Sequence, residues 1–600
     1  MLKDRGAIEN TVFSLDSHFA PAPFQHGDER RVIFVTNRGP IEHSFDESGT
    51  PEAQCGAGGV VSGLLCAARG RPISWISVAM TDADRALARP NGDVVITAPC
   101  GMDDLTARLV YIPSKTYSRH YDSVSNRLLW FVQHGLPHER IAASPTTQQH
   151  WERGYVAVNR ALADAVLEDL GAGGENTSVM FHDYHLYLAP KMVRDRAPGV
   201  RMQHFVHIPW PAPEEWARVP DTMMRAIYEG LAANDVIGLQ TQRDVEHFLA
   251  GVRRYLPGAY VARDDATVWW QGRQIAVRAY PIALTKETVE ADANTPAALG
   301  QVEQIREQFH LDSGRKLIVR VDRVEPAKNI VRGFQAFERM LGKHPELRGR
   351  VTMLALLVPS RESISEYRRY AARVRAVIEA INARLGTADW QPIVALFGND
   401  RARALACMRH YDVLLVNSLA DGMNLVVKEG VLLNQRNGVI VLSKRAGAYT
   451  QLKRGAIGIA PGDVAGTADA LYAALEMPAT PRAALAHAAR AALGEETASR
   501  WLSRQLKDML AVTGKRQERR DEAAAALLTF DWHTQPGDMA VRVTVPNRQQ
   551  RWQAPPVPAV PPGSVYRSHR QPFAVADLLN GGTLPPSLAD YGADPHDATR

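Results

Sequence analysis

Leu419-Ala-Asp-Gly-Met-Asn-Leu-Val-Val-Lys-Glu429 is the stretch of this chain whose residue types and spacing suit chemistry best. It follows an apolar run, Tyr411 to Val416, that reads as a buried parallel strand, and it leads into a helix-forming segment ending near Leu433. Gly422 lets backbone approach closely. The first helical amides, at Met423, Asn424 and Leu425, lack intrahelical acceptors, so an anion there meets both donors and a favourable dipole. A diphosphate fits that description. Asp421 and Glu429 flank it as acceptors for hydroxyl groups, which suits a ligand with a sugar at one end and a ribose at the other. An ordinary turn with a capping Asp421 and a solvated Glu429 is the alternative that the residues leave open.

Further cations recur at strand ends. Val321-Asp-Arg-Val-Glu-Pro-Ala-Lys-Asn-Ile-Val-Arg332 follows a strand and enters a helix, with Pro326 suited to a first helical turn. Arg323 and Lys328 can there hold a diphosphate and stabilise it as it departs. Pro359-Ser360-Arg361 places another cation after an apolar run. His182 with His185 and His204 with His207 sit at predicted strand ends without further ligands at fixed spacing, so hydrogen bonding to a polar ligand is expected and no metal. Tyr121 to Trp130 combines aromatic faces, amides and a base, which suits a sugar. Cys55-Gly-Ala-Gly-Gly59 opens a helical segment, Val60 to Arg69, where a glycine turn allows close ligand approach.

These motifs require an α/β scaffold to position them. Strands are predicted at 31–36, 73–78, 94–98, 178–181, 203–207, 236–239 and 275–280. A second series is predicted at 316–321, 351–358, 393–397, 413–417 and 438–442, with helices between. Residues 41–54 read as a long polar loop. Two doubly wound, Rossmann-like domains facing one cleft follow, with a break near residue 283. The boundaries read as a polar leader over 1–30, domains over 31–282 and 283–480, closing helices over 481–513 and a tail over 514–600. That tail holds eleven of the 37 prolines and reads as extended or disordered.

Composition narrows the class. The 600 residues are 45% apolar and 22% charged, with a formal net charge of +5, so neither a nucleic-acid partner nor a membrane partner is expected. Four cysteines, Cys55, Cys66, Cys100 and Cys407, are too sparse for a disulfide framework and favour a reducing compartment, the cytoplasm. A homo-oligomer is left open.

Taken together, Asn37-Arg38, Gly58-Gly59, Tyr121 to Trp130, His182-Asp183-Tyr184-His185, His207-Ile208-Pro209, Arg323 with Lys328, Pro359-Ser360-Arg361 and Asp421-Gly-Met-Asn-Leu-Val with Glu429 resemble the trehalose-6-phosphate synthase family over about residues 31–512. The resemblance implies an α/β GT-B fold and a metal-independent retaining glycosyltransferase. It needs no cofactor, because the nucleotide sugar is a substrate. By position it implies that Arg323 and Lys328 bind the donor diphosphate with help from the amides of Met423, Asn424 and Leu425, and that Glu429 holds the ribose. It gives His207 and Asp421 the donor sugar and lets Gly59 approach the donor closely. Arg38, Tyr121, Trp130 and Arg361 grip a phosphorylated sugar acceptor, and Asp183 meets one of its hydroxyls. The expected reaction moves glucose from UDP-glucose to glucose 6-phosphate.

Two sites depart from that pattern. Glu325-Pro326-Ala327-Lys328-Asn329 stands where synthases show Asp-Tyr-Ser/Thr-Lys-Gly; Asn329 can take the left-handed conformation of the glycine. Val78 stands where a second tryptophan is usual. Both departures are similar to the validamycin-pathway pseudo-glycosyltransferase, so a cyclitol acceptor, another phosphorylated sugar or a silent sugar-phosphate-binding relative are the alternative readings.

Overall fold

The computed structural model describes residues 31–56, 59–136, 144–171 and 176–528. The expected leader, Gly58 and most of the expected tail lie outside them.

Two sheets organise the described residues. The larger has ten strands in the order 260–262, 267–270, 273–279, 236–239, 201–205, 178–182, 32–35, 73–78, 105–110 and 93–97. Its central seven strands are parallel, and antiparallel strands finish both edges. The smaller has six parallel strands in the order 393–397, 351–358, 316–323, 413–416, 439–443 and 456–459. Helices cover both faces, which is why the inner strands are continuous apolar runs: Val32–Val35, Ile73–Val78 and Val439–Ser443 are buried at every residue. The helix Ile330–Lys343 shows the matching helical pattern, burying Ile330, Phe334, Phe337 and Leu341 at spacings of three and four. Each such large apolar side chain contributes about 1.5–3 kcal/mol on burial.

The carboxyl ends of the two sheets face each other. Register places Arg323 opposite Val358 at the end of the central strand of the smaller sheet. In the larger sheet, His182 ends one strand and His207 lies two residues beyond its neighbour. The Gly422 turn meets that end directly, because a Cβ on Gly422 would lie 1.9 Å from the His207 carbonyl oxygen. At the crossover, buried Lys428 donates to the Ile282 carbonyl (2.6 Å), and the Gln240 side chain accepts from the Ile282 amide (3.1 Å). Burial pushes the Lys428 ammonium down to about 7.

Three expectations need correction. Residues 41–54 are no loop: Ile41–Phe45 and Pro51–Cys55 form an antiparallel hairpin. The Asp46 carboxylate closes its turn by accepting from the Ser48 and Thr50 amides, both at 2.8 Å. Cys55 and Cys100 are joined by a disulfide, so the expectation of four reduced thiols fails. The hairpin and the turn at Pro99–Gly101 bring these cysteines together from 45 residues apart, a proximity that spacing cannot reveal. Cys66 and Cys407 are free. Residues 514–528, expected as the start of the tail, are helical, because the helix from Ala498 runs on to Leu528 through the Ala- and charge-rich sequence.

That last helix returns to the larger sheet. Trp501 packs edge-to-face on Phe205 and donates to the Tyr280 carbonyl (3.0 Å), and Tyr280 donates to Asp508 (2.6 Å). Among the described residues no helix is long and apolar enough to cross a membrane.

Candidate active site

On the smaller sheet, the turn after Arg323 is a single tight turn, Pro326–Lys328, with Pro326 opening it as expected. Asn329 then takes φ +56° and ψ +35°, the left-handed conformation anticipated for it. Its side chain donates to the carbonyls of Asn417 (3.0 Å) and Pro461 (2.7 Å). These bonds aim Lys328 at Asp421, with Nζ to Oδ2 at 2.5 Å. Ser418 and Asn424 donate to the same oxygen. Burial opposes both charges, yet each outweighs it for the other: Lys328 is held above its usual range, with Asp322 helping, and Asp421 below its own. The pair stays ionised at working pH.

Asn424, at φ +74°, caps the helix Leu425–Leu433 by accepting from the Val427 amide (3.1 Å). Asp421 is therefore not the cap, which removes the ordinary-turn alternative for it. The Met423 carbonyl accepts from Ala448 (2.9 Å), which holds the turn. Leu425 begins the helix, so its amide belongs to the set that a helix leaves without intrahelical acceptors. Glu429 is engaged by Arg401 (3.1 Å), which also pairs with Asp292 (2.8 Å). The sequence reading passed over Arg401, whose position after a strand and an Asp400 cap was the available signal.

Past the neighbouring strand Val351–Val358 of the same sheet, Arg361 is pinned by the hydroxyls of Tyr367 (2.8 Å) and, from the facing half, Tyr184 (3.1 Å). Its guanidinium lies 5.0 Å over the Trp130 ring. Trp130 is thus buried beneath the cation it was expected to work beside, a cation–π support worth about 2 kcal/mol when desolvated. Tyr121 stacks between Tyr117 (5.3 Å) and His185 (5.8 Å). Arg38 is half exposed and turned onto Glu42, four residues along the hairpin strand. Gly59 opens the helix Gly59–Ala68. Glu325, unanticipated, is wholly buried and lies 2.9 Å from Arg323 and 3.4 Å from Arg361. Ser363 with Asp122 (2.9 Å) and Glu366 with Arg127 (2.9 Å) tie the two halves at the rim.

Asp183 and the histidines line the floor between the halves. Asp183 takes φ +72° and accepts from the His207 amide (3.2 Å). His182 Nδ1 and His207 Nε2 are 3.2 Å apart, and burial pushes His207 down to about 3, so it acts as a neutral hydrogen-bonding group. His134, also passed over, packs tilted against Trp130 with ring centroids 4.1 Å apart and lies within electrostatic reach of Asp421, Glu325 and Lys328. Among the described residues no group of three His, Cys, Asp or Glu is placed to hold a metal ion.

Burial pushes the Asp183 carboxyl up to about 6, against the Tyr184 and His207 amides and the nearby Arg361 and Arg323. The sign follows. Protonation stabilises the fold below about pH 4, and that contribution is lost as pH rises through about 6. Were Asp183 to receive a ligand hydroxyl, as the resemblance implies, binding would run the other way, because the ionised acceptor is present only above about 6. The acceptor KM is expected to rise by up to about tenfold per pH unit below that value, and Asp183→Asn to flatten the profile. A wild-type acceptor KM that stays level from pH 7 to pH 5 would refute this.

The arrangement thus gathers Arg323 and Lys328 at one strand end, Arg361 beside them through Glu325, and the carboxylates of Asp421 and Asp183 close by. A model of glycosyltransferase family 20 matches residues 30–511. The chain is 30% identical over 463 residues to the alpha,alpha-trehalose-phosphate synthase [UDP-forming] of Schizosaccharomyces pombe, covering 76% of this chain and 86% of that one. It is 31% identical over 464 residues to the corresponding synthase 1 of Aspergillus fumigatus, covering 76% and 85%. Among solved structures, a UDP-forming alpha,alpha-trehalose-phosphate synthase from Burkholderia xenovorans in complex with glucose-6-phosphate superposes with a TM-score of 0.69 at 28% identity, over 80% of this chain and 99% of that one. The fold is GT-B, and the chain belongs to glycosyltransferase family 20, the trehalose-6-phosphate synthase family.

Proposed function

We propose that this protein transfers glucose from UDP-glucose to glucose 6-phosphate with retention of configuration, giving trehalose 6-phosphate and UDP. The observation that carries the reading is the pair of cation groups at neighbouring strand ends of the smaller sheet, Arg323 with Lys328 and Arg361 over Trp130, with Asp183 and His207 of the larger sheet facing them. One group suits a diphosphate and the other a monophosphate.

In this reading residues 31–282, with Arg361 reaching across, bind the acceptor, and residues 283–480 bind the donor. The helices over 481–513 close the body. Arg323, Lys328 and the amides from Met423 to Leu425 hold the diphosphate. Asp421 and neutral His207 meet the sugar, Gly59 allows close approach, and Glu429 takes the ribose once Arg401 yields it. Arg38, Tyr121 and Arg361 take the acceptor phosphate, with Trp130 supporting Arg361. The bond from the anomeric carbon to the phosphate oxygen breaks, and the acceptor hydroxyl oxygen bonds to the same face of that carbon. The hydroxyl proton passes to the departing phosphate oxygen. No protein nucleophile is needed, which fits Asp421 being held by Lys328. Preorganised cations at the leaving group are worth about 2.7–4 kcal/mol per donor. The reaction requires no cofactor, and two phosphorylated metabolites as substrates favour a cytoplasmic location. A homo-oligomer is compatible with this chemistry.

The test is nucleotide release by the purified full chain with UDP-glucose or GDP-glucose, each with and without glucose 6-phosphate. Acceptor-dependent UDP release is expected. Saturable nucleotide-sugar binding without release with glucose 6-phosphate would move the assignment to a cyclitol-type acceptor or a silent relative, the readings that the Glu325-to-Asn329 loop and Val78 favour.

A further inference from the structure

Glu325 is the one carboxylate among the described residues that pairs with both Arg323 and Arg361. It follows the strand Lys316–Arg323 by two residues, and its amide turns back to the Arg323 carbonyl (2.8 Å), which swings the side chain inward beneath the two guanidinium groups. Oε1 accepts from Ser360 (2.9 Å) and lies 2.9 Å from Arg323 and 3.4 Å from Arg361. Its other oxygen, Oε2, is buried with no partner, and so is Nε of Arg361.

We propose that Glu325 is a positioning residue that couples the donor and acceptor subsites, by sharing one buried carboxylate between the guanidinium that meets the donor diphosphate and the guanidinium that meets the acceptor phosphate. The proposal rests on the functional reading above.

The two arginines are held unequally. Arg323 is half exposed and pairs, among the described residues, with Glu325, whereas Arg361 is buried and fixed by two tyrosine hydroxyls and the Trp130 face. Two cations share one anion, so one positive charge awaits substrate. A diphosphate arriving at Arg323 competes with Glu325 for that guanidinium. The carboxylate, released on one side, closes on Arg361, where its buried, unpartnered Oε2 is free to accept a further charge-assisted hydrogen bond. An Arg361 fixed in this way loses less freedom when it captures the acceptor phosphate. Donor-site occupancy therefore tightens acceptor binding, and linkage requires the acceptor to tighten the donor site by the same factor.

Calorimetric titration of the full chain with UDP and with glucose 6-phosphate, each alone and with the other saturating, measures that factor. For the wild type we expect about fivefold or more, equal in either order of addition. Glu325→Gln keeps the shape and removes the charge, and should bring the factor to within about twofold of unity while both ligands still bind. Glu325→Asp keeps the charge with a shorter reach and should give an intermediate factor. It also carries the test if the Gln variant folds poorly. A Glu325→Gln protein that retains the wild-type factor, or a wild type that binds both ligands without coupling, overturns the proposal. A wild type that binds neither ligand overturns the functional reading itself and this inference with it.

Discussion

Lys328→Ala is expected to lower acceptor-dependent UDP release by about 10²–10³-fold, the usual cost of removing one preorganised donor from a developing negative charge. A second effect separates it from Arg323→Ala. Lys328 is three-residue-turn deep in the fold, and its ammonium neutralises Asp421, which is only 15% exposed. Removing it leaves that carboxylate with Ser418 and Asn424 but without its counter-charge, a loss worth about 1–3 kcal/mol of stability. Arg323 is half exposed at a strand end, and its loss leaves Glu325 still facing Arg361 and Ser360. Arg323→Ala should therefore give a comparable loss of turnover with little change in the urea midpoint. Steady-state UDP release and urea unfolding on both variants check the pair of outcomes. Equal midpoints for the two variants would show that the Lys328–Asp421 pair does not carry the stability assigned to it. Turnover within about threefold of wild type in either variant would remove that cation from leaving-group stabilisation, since that loss is near 0.6 kcal/mol.

What the sequence disclosed follows from which forces act locally. Strands buried on both faces write themselves as apolar runs, so Ile73–Val78, Val236–Leu239 and Val351–Val358 lie where the pattern put them. The hairpin Ile41–Phe45 with Pro51–Cys55 is mostly exposed and carries no such run. Its signal was the turn Asp46-Glu-Ser-Gly-Thr50, whose Asp and Gly have a stated turn chemistry. The π-helical stretch Arg119–Leu129 leaves no periodic mark that separates it from an ordinary helix. At the site, the residues that end strands or open helices were legible: Arg323, Lys328, Asp421 and Asp183. Partnerships were not. Arg361 meets Tyr184, 177 residues away in sequence, and Trp130 reaches it from the other half of the chain. Glu325 reads in sequence as a surface acid before a proline, and only the folded chain buries it against two arginines. Glu429 shows the same limit, because nothing near it in sequence announces Arg401.

Gly422→Ala is expected to lower turnover by about 10²-fold, for a reason unrelated to helix propensity or left-handed backbone. An alanine Cβ would lie 1.9 Å from the His207 carbonyl oxygen and 3.1 Å from the Ile208 Cα, both backbone of the facing half. The turn cannot back away, because Gly447 presses on it from behind: a Cβ there would sit 1.8 Å from the Gly422 carbonyl oxygen. The Asp421 carbonyl accepts from the Gly447 amide (3.1 Å) and the Met423 carbonyl from the Ala448 amide (2.9 Å), so the turn is held on that side by hydrogen bonds as well. Relief must come from separating the two halves by an ångström or more. Such a displacement moves Asp421 and the Met423-to-Leu425 amides relative to His207 and Asp183, and misplacement of about 1 Å costs about 10²-fold in rate. The smaller sheet keeps its own core, so UDP binding should weaken far less than turnover falls. Gly447→Ala should reproduce this split from the other side of the turn. Paired measurements of UDP affinity and of acceptor-dependent release decide the matter: a Gly422→Ala enzyme with near-wild-type turnover would mean that the halves meet differently during catalysis, and equal losses in both quantities would mean that the methyl group disrupts the nucleotide site rather than its alignment with the acceptor.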